Sequence, residues 1–330
     1  MSSATVRLES NRVASDLSGP HDINLLLLEN KLDVTLLARG NTILVKGEEG
    51  QVLQAQTVLN ALADRLKSGL PVTPADIDTA LRMGPLNISH PGDAGVPSTG
   101  DNGGTGRVLT LPRRTLSPRT PAQATYLETL ATKELTFGVG PAGTGKTYLA
   151  VAFAALSLIQ GRVERIILSR PAVEAGERIG FLPGDMKEKI DPYLRPLYDA
   201  LYDVLHADFV DRRIAAGEIE IAPLAFMRGR TLSRAVVLLD EAQNTTAGQM
   251  KMFLTRLGEG SRMIVTGDPS QTDLAPSHVS GLADALSLLQ GIDEVGIARF
   301  TGEDVVRHDL VRKILSAYDT QAVSQRPAAP

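Results

Sequence analysis

The stretch Gly140-Pro141-Ala142-Gly143-Thr144-Gly145-Lys146-Thr147 limits what this chain can fold into more than any other. It satisfies the spacing Gly-x-x-x-x-Gly-Lys-Thr, follows the apolar run Leu135 to Val139, and leads into a helical pattern from Lys146 to Ile159. A strand that turns through glycines directly into a helix gathers backbone N–H groups at the positive end of a helix dipole, which favours an anion. In that setting the loop is expected to wrap the β- and γ-phosphates of a nucleotide, with Lys146 neutralising phosphate charge and Thr147 ligating Mg²⁺.

The rest of the second half supports an α/β fold. Leu135 to Val139, Arg165 to Leu168, Glu218 to Ile221, Val236 to Leu239, Met263 to Thr266 and Val295 to Phe300 are short runs rich in Val, Ile and Leu, separated by helical patterns. Continuous apolar strands joined by helices mean crossover connections and a mostly parallel sheet covered on both faces. At the end of the fourth run stand Asp240 and Glu241, at the edge where open α/β sheets bind ligands. Asp240 is expected to hold hydrated Mg²⁺, and Glu241 to polarise an attacking water, an acid that a small-molecule kinase would not need. The fifth run leads through Gly267-Asp268-Pro269-Ser270 to Gln271, a candidate sensor of the γ-phosphate.

The first half reads as a separate small α+β domain, residues 1–83. A helix is expected from Asp22 as its N-cap, then strands Val34 to Ala38 and Thr42 to Val45 joined by the Gly40-Asn41 turn. A helix follows with Val52, Ala55, Val58, Leu59, Leu62 and Leu66 on one face, and Thr73-Pro74-Ala75-Asp76 opens a last short helix. Residues 84–106 hold seven glycines and three prolines and read as a flexible linker. Residues 107–320 then make the nucleotide-binding domain and 321–330 a disordered tail.

Composition narrows the function classes. With 38 acidic and 34 basic residues the formal net charge is −4, so a polyanion would have to meet a local basic surface. No cysteine is present, which excludes disulfides, thiolate metal sites and cysteine nucleophiles, and the five histidines lack metal-ligand spacing. The N-terminus is unlike a secretory signal, and Tyr148 to Ile159 falls short of the roughly 18 apolar residues that span a bilayer, so a cytoplasmic protein is expected.

The order of the phosphate loop, Asp240-Glu241-Ala242-Gln243-Asn244 and Gly267-Asp268-x-x-Gln271 resembles the ATP-binding core of superfamily 1 helicases. Between them, Ser169-Arg170-Pro171-Ala172-Val173-Glu174-Ala175-Gly176-Glu177, Gly180-Phe181-Leu182-Pro183-Gly184-Asp185 and Asp191-Pro192-Tyr193-Leu194-Arg195-Pro196 resemble the PhoH family, as do Phe226-Met227-Arg228-Gly229-Arg230-Thr231 and Asp304-Val305-Val306-Arg307-His308. The resemblance spans roughly residues 105–320. It implies a RecA-like P-loop ATPase that uses ATP and Mg²⁺, assembles into a homo-oligomeric ring and works in RNA or ribosome metabolism. Some members carry a ribonuclease domain, for which this chain has no spare segment.

The same resemblance makes Gln123 a candidate reader of the adenine edge, since an amide donates and accepts at once. Arg307, late in the core, is a candidate arginine finger reaching a neighbouring subunit's γ-phosphate, the alternative being a surface salt bridge to Asp304 at i,i+3. Arg170 is a candidate contact to phosphate or substrate. For RNA, Arg113, Arg114 and Arg119 precede the core, Arg228, Arg230 and Arg234 flank a turn, and Tyr193, Tyr198 and Tyr202 could stack on bases, although their leucine neighbours favour core packing. The N-terminal layout is reminiscent of half a KH domain, but Gly47-Glu48-Glu49-Gly50 would repel a phosphate backbone. The alternative reading is a nucleotide-gated interaction protein that recruits a ribosome-associated nuclease and hydrolyses ATP only to reset.

Overall fold

The computed structural model describes residues 2–67, 71–83, 108–171, 186–274, 279–306 and 314. The described residues divide into two units, one up to Met83 and one from Val108 to Val305.

In the first unit, β1 (Ser2–Arg7), β2 (Thr35–Arg39) and β3 (Thr42–Gly47) form an antiparallel sheet in the order β1-β3-β2. The expected hairpin is present, with Gly40 at φ +60° in its turn, a left-handed conformation that glycine adopts without a Cβ clash. Four helices pack with the sheet: α1 (Asn11–Ser18), α2 (Ile23–Leu32), α3 (Glu49–Lys67) and α4 (Pro74–Met83). In α3, Val52, Ala55, Val58, Leu59 and Leu62 are buried, as their spacing requires. They meet Leu17, Leu28, Ile43, Val45 and Ile77 in one core.

Two features of this unit correct the sequence reading. β1 and α1 precede the first expected helix. Of β1 only Val6 is fully buried, and α1 buries only Ala14, Leu17 and Ser18, so neither leaves a strong periodic trace. Asp22, the expected N-cap, takes a left-handed conformation (φ 56°) and makes no side-chain capping bond. A cap needs extended backbone to aim its oxygen at the first turn. Ser10 has that geometry, and its hydroxyl accepts from the Val13 N–H of α1.

The second unit is built on six strands, β6 (Leu135–Val139), β7 (Arg165–Arg170), β8 (Ile219–Pro223), β9 (Ala235–Leu239), β10 (Arg262–Gly267) and β11 (Val295–Arg299), preceded by a short hairpin of β4 (Leu109–Thr110) and β5 (Thr115–Leu116). The six lie in the order β11-β6-β10-β9-β7-β8, and every pairing is parallel. Helices α5 (Pro121–Thr132), α6 (Lys146–Ile159), α7 (Met186–Val204), α8 (Ala207–Ala215), α9 (Ala247–Leu254) and α10 (Gly281–Leu289) complete it. Alternate residues of each strand enter different cores: Ile166, Leu168, Val236 and Leu238 on one side, Ile167, Val237, Leu239 and Val265 on the other. This is the RecA-like P-loop NTPase fold, a parallel sheet buried on both faces. Its topology sets the site, because β10 alone lies between β6, which carries the glycine-rich loop, and β9, which carries Asp240.

Behind that loop, Tyr126 of α5 is fully buried, edge-on to Phe300 with ring centroids 5.5 Å apart. Gly138 gives it room, since a Cβ there would lie 2.8 Å from the ring. The Tyr126 hydroxyl has no hydrogen-bond partner among the described residues, and burial pushes its pKa far up. A buried, unsatisfied hydroxyl costs its desolvation energy. Tyr126→Phe is therefore expected to raise stability by about 1 kcal/mol, measured by urea denaturation. A loss of stability would show that the hydroxyl has a partner in solution.

Candidate active site

The loop between β6 and α6 is held in a shape that needs its glycines. Gly140, Gly143 and Gly145 have φ of 139°, 84° and 85°, and a Cβ on Gly140 would come within 2.2 Å of the Phe300 carbonyl oxygen. The Gly140 N–H donates to the Gly267 carbonyl at 3.1 Å, tying the loop to the end of β10. Lys146 opens α6, and its Nζ donates to the Gly140 and Pro141 carbonyls at 2.6 and 2.7 Å. The lysine ammonium thus lies over the concave backbone of the loop.

Thr147, next on α6, donates its hydroxyl to Asp240 Oδ1 at 2.6 Å, and Thr266 from β10 donates to the same oxygen at 2.7 Å. Asp240 is only 3% exposed. Burial raises its pKa, against the pull of the Thr147 hydrogen bond and the Arg170 charge. Glu241 follows with a left-handed backbone (φ 53°), a strained conformation for a residue with a Cβ. Its side chain is more open than that of Asp240, at 39% exposure. Arg170 Nη2 donates to its Oε1 at 2.8 Å and Gln243 Nε2 to its Oε2 at 2.5 Å.

These residues fit a magnesium nucleotide. A buried carboxylate whose charged form is disfavoured by desolvation gains from a divalent cation, and Mg²⁺ is commonly held by one or two protein oxygens together with phosphates and water. Asp268 Oδ2, just beyond β10, is buried with no hydrogen-bond partner among the described residues, a further acceptor for a hydrated ion. A bent glycine loop at a helix N-terminus turns N–H groups toward an anion, and Lys146 is already beside this one.

The structure thus brings Gly140 to Thr147, Asp240 and Glu241 together. Gln123 is buried next to the loop, but its amide serves the chain itself: Nε2 donates to the Thr144 carbonyl at 2.9 Å, and Oε1 accepts from the Arg119 N–H at 2.7 Å. Gln271 is exposed, its backbone N–H bonded to the Asp268 carbonyl. Arg307 lies outside the described residues, as do the motif residues 172–185. Thr266 and Gln243 were not singled out from sequence. A threonine in the otherwise apolar run Met263-Ile264-Val265, beside the strand that carries Asp240, was the available signal for the first. For the second it was the short step from the acidic pair.

Several basic residues considered for nucleic acid are engaged within the chain. Arg113 donates to the Tyr202 carbonyl, Arg114 pairs with Asp203 at 2.7 Å, Arg230 with Glu220 at 2.6 Å and Arg234 with Glu164 at 2.6 Å. Tyr198 and Tyr202 pack against the core, as their leucine neighbours suggested. Arg228 is exposed, next to the exposed Phe226.

Comparison with known proteins decides the family. The PhoH-like protein family profile matches residues 115–319. A PhoH-like protein of Bacillus subtilis (strain 168) is 47% identical over 96% of this chain and 97% of its own length. The chain belongs to the PhoH-like protein family. A PhoH-like protein of Mycobacterium tuberculosis (strain ATCC 25618 / H37Rv) is 48% identical over 92% of this chain and 84% of its own length. Protein PhoH of Escherichia coli (strain K12) is 52% identical over 61% of this chain and 57% of its own length. Among solved structures, the Sulfolobus solfataricus SWI2/SNF2 ATPase core in complex with dsDNA is similar over 49% of this chain and 33% of its own, at 13% identity and a TM-score of 0.31, too low to add to the family assignment. Among the described residues of this PhoH-like chain, no helix is long and apolar enough to cross a membrane.

Proposed function

We propose that this PhoH-like protein is a Mg²⁺-dependent ATPase, and the observation that carries the reading is the Thr147–Asp240 hydrogen bond, which joins the phosphate loop's helix to a buried acid with a second, more open acid beside it. The loop N–H groups and Lys146 bind the β- and γ-phosphates, while Thr147 and, through water, Asp240 would hold the metal. Bound Mg²⁺ supplies charge neutralisation on the phosphates. Glu241 accepts a hydrogen bond from the attacking water, whose oxygen bonds to the γ-phosphorus as the bond to the β-phosphate oxygen breaks, giving ADP and phosphate. Gln271 contacts the γ-phosphate, and Gln123 reads adenine by giving up one of its present backbone bonds.

In this reading the enzyme is cytoplasmic, forms a homo-oligomeric ring and acts on or beside RNA, with residues 107–320 as the ATPase domain and residues 1–83 as a separate N-terminal domain. Adding single-stranded RNA to the full chain in the presence of Mg-ATP is expected to raise phosphate release. A rate indifferent to RNA would favour the second reading, a nucleotide-gated protein that recruits a ribosome-associated nuclease. The pairing of Arg113, Arg114, Arg230 and Arg234 within the chain supports that alternative.

Assembly is tested by complementation. If Arg307 acts on the neighbour's nucleotide, a Lys146→Ala chain keeps its finger and an Arg307→Ala chain keeps its site, so mixing them restores activity that neither has alone. A mixture that stays inactive although both variants assemble would place Arg307 in its own subunit.

A further inference from the structure

Glu241 stands beyond the end of β9 with a left-handed backbone and a side chain 39% exposed, so hydrogen bonds rather than packing fix the direction of its carboxylate. Two neighbours hold it. Gln243 Nε2 donates to Oε2, and Gln243 Oε1 in turn accepts from the Asp268 N–H at 3.0 Å, which anchors this side of the clamp at the exit of β10. On the other side, Arg170 ends β7, the strand paired with β9 in a register that sets Ser169 opposite Leu239. That register lets the guanidinium reach sideways across both acids. Its Nη2 is on Glu241 Oε1 at 2.8 Å, its Nε is 3.7 Å from Asp240 Oδ2, and its Nη1 donates to the Tyr193 carbonyl of α7 at 2.9 Å. A planar fork bound on three sides is fixed in direction as well as in place, which the point charge of a lysine is not.

We propose that Arg170 is the positioning residue for Glu241: anchored on the Tyr193 carbonyl and acting on the carboxylate oxygen opposite the one Gln243 holds, it keeps the carboxylate where it takes the hydrogen bond of the attacking water. The proposal rests on the hydrolytic reading of Glu241 and gives Arg170 no contact with nucleotide. Misaiming a catalytic group slows the chemical step while leaving ground-state binding alone.

The test uses the full chain with Arg170→Ala, Arg170→Gln and Arg170→Lys, measuring Mg-ATP turnover and the affinity for a fluorescent, non-hydrolysable ATP analogue. Arg170→Ala is expected to lower kcat about 100-fold with affinity nearly unchanged, and Arg170→Lys to recover only part of the loss. In a Glu241→Gln chain, Arg170→Ala is expected to cost nothing more, because both changes act through one group. Arg170→Gln gives the same readouts if the alanine variant does not fold. Wild-type turnover without Arg170, an affinity that falls together with kcat, or a full additional loss in the Glu241→Gln background would overturn the proposal. If instead Glu241→Gln itself turns over normally, the hydrolytic reading fails first, a result distinct from an inactive Glu241→Gln beside an unaffected Arg170→Ala.

Discussion

Glu241→Gln is expected to bind Mg-ATP about as well as the wild type and to release phosphate roughly 10³-fold more slowly. The amide keeps the size of the side chain and its oxygen can still accept from Arg170, while its NH2 gives up the hydrogen bond from Gln243; the Thr147–Asp240 contact and the bonds of the loop do not involve it. What it loses is the charge and basicity that act on water in the transition state, which ground-state binding does not use. Binding by calorimetry together with single-turnover phosphate release separates the two. Unimpaired release would remove Glu241 from the mechanism.

Lys146→Ala is expected to fail at both steps. Its ammonium lies over the loop, within 2.7 Å of two loop carbonyls, so truncation removes the charge that meets the phosphates and a brace of the loop itself. ATP affinity should fall by about 2 kcal/mol or more, and turnover by a larger factor, since charge on the phosphoryl oxygens is also stabilised in the transition state. Titration of the variant with ATP, followed by turnover at saturation, checks this. Unchanged affinity would mean that Lys146 stays on its own carbonyls and never reaches the nucleotide.

How much could be read from sequence followed burial. The four central strands of the parallel sheet were legible because both faces are covered, so each is a largely apolar run, and the partly buried edge strands β8 and β11 because Ile and Val recur in them between helical patterns. β1 and α1 were not, because an edge strand and a short helix that bury a few residues each leave little periodicity. Asp22 shows the limit of residue-type reasoning at helix ends: aspartate suits an N-cap only when its backbone is extended, and the preceding Gly19-Pro20-His21 turn carries Asp22 into the left-handed region. In the site, the residues of the phosphate loop and the acidic pair are contiguous and could be named directly. Thr266 and the Arg170 fork could not, because their roles come from strand order: β10 and β7 flank β9 on either side and deliver side chains 26 and 71 residues away in sequence. Gln243 stands two residues from Glu241, and its role comes from the turn after β9, which also brings it to the Asp268 N–H.

Phosphate release from ATP by the full chain, followed as Mg²⁺ is added to and then chelated from the same sample, tests the central claim most directly. Turnover that appears with Mg²⁺, stops on chelation and is absent in Glu241→Gln is the expected result. ATP bound at the loop but never hydrolysed, at any Mg²⁺ or protein concentration and with or without single-stranded RNA, would contradict it.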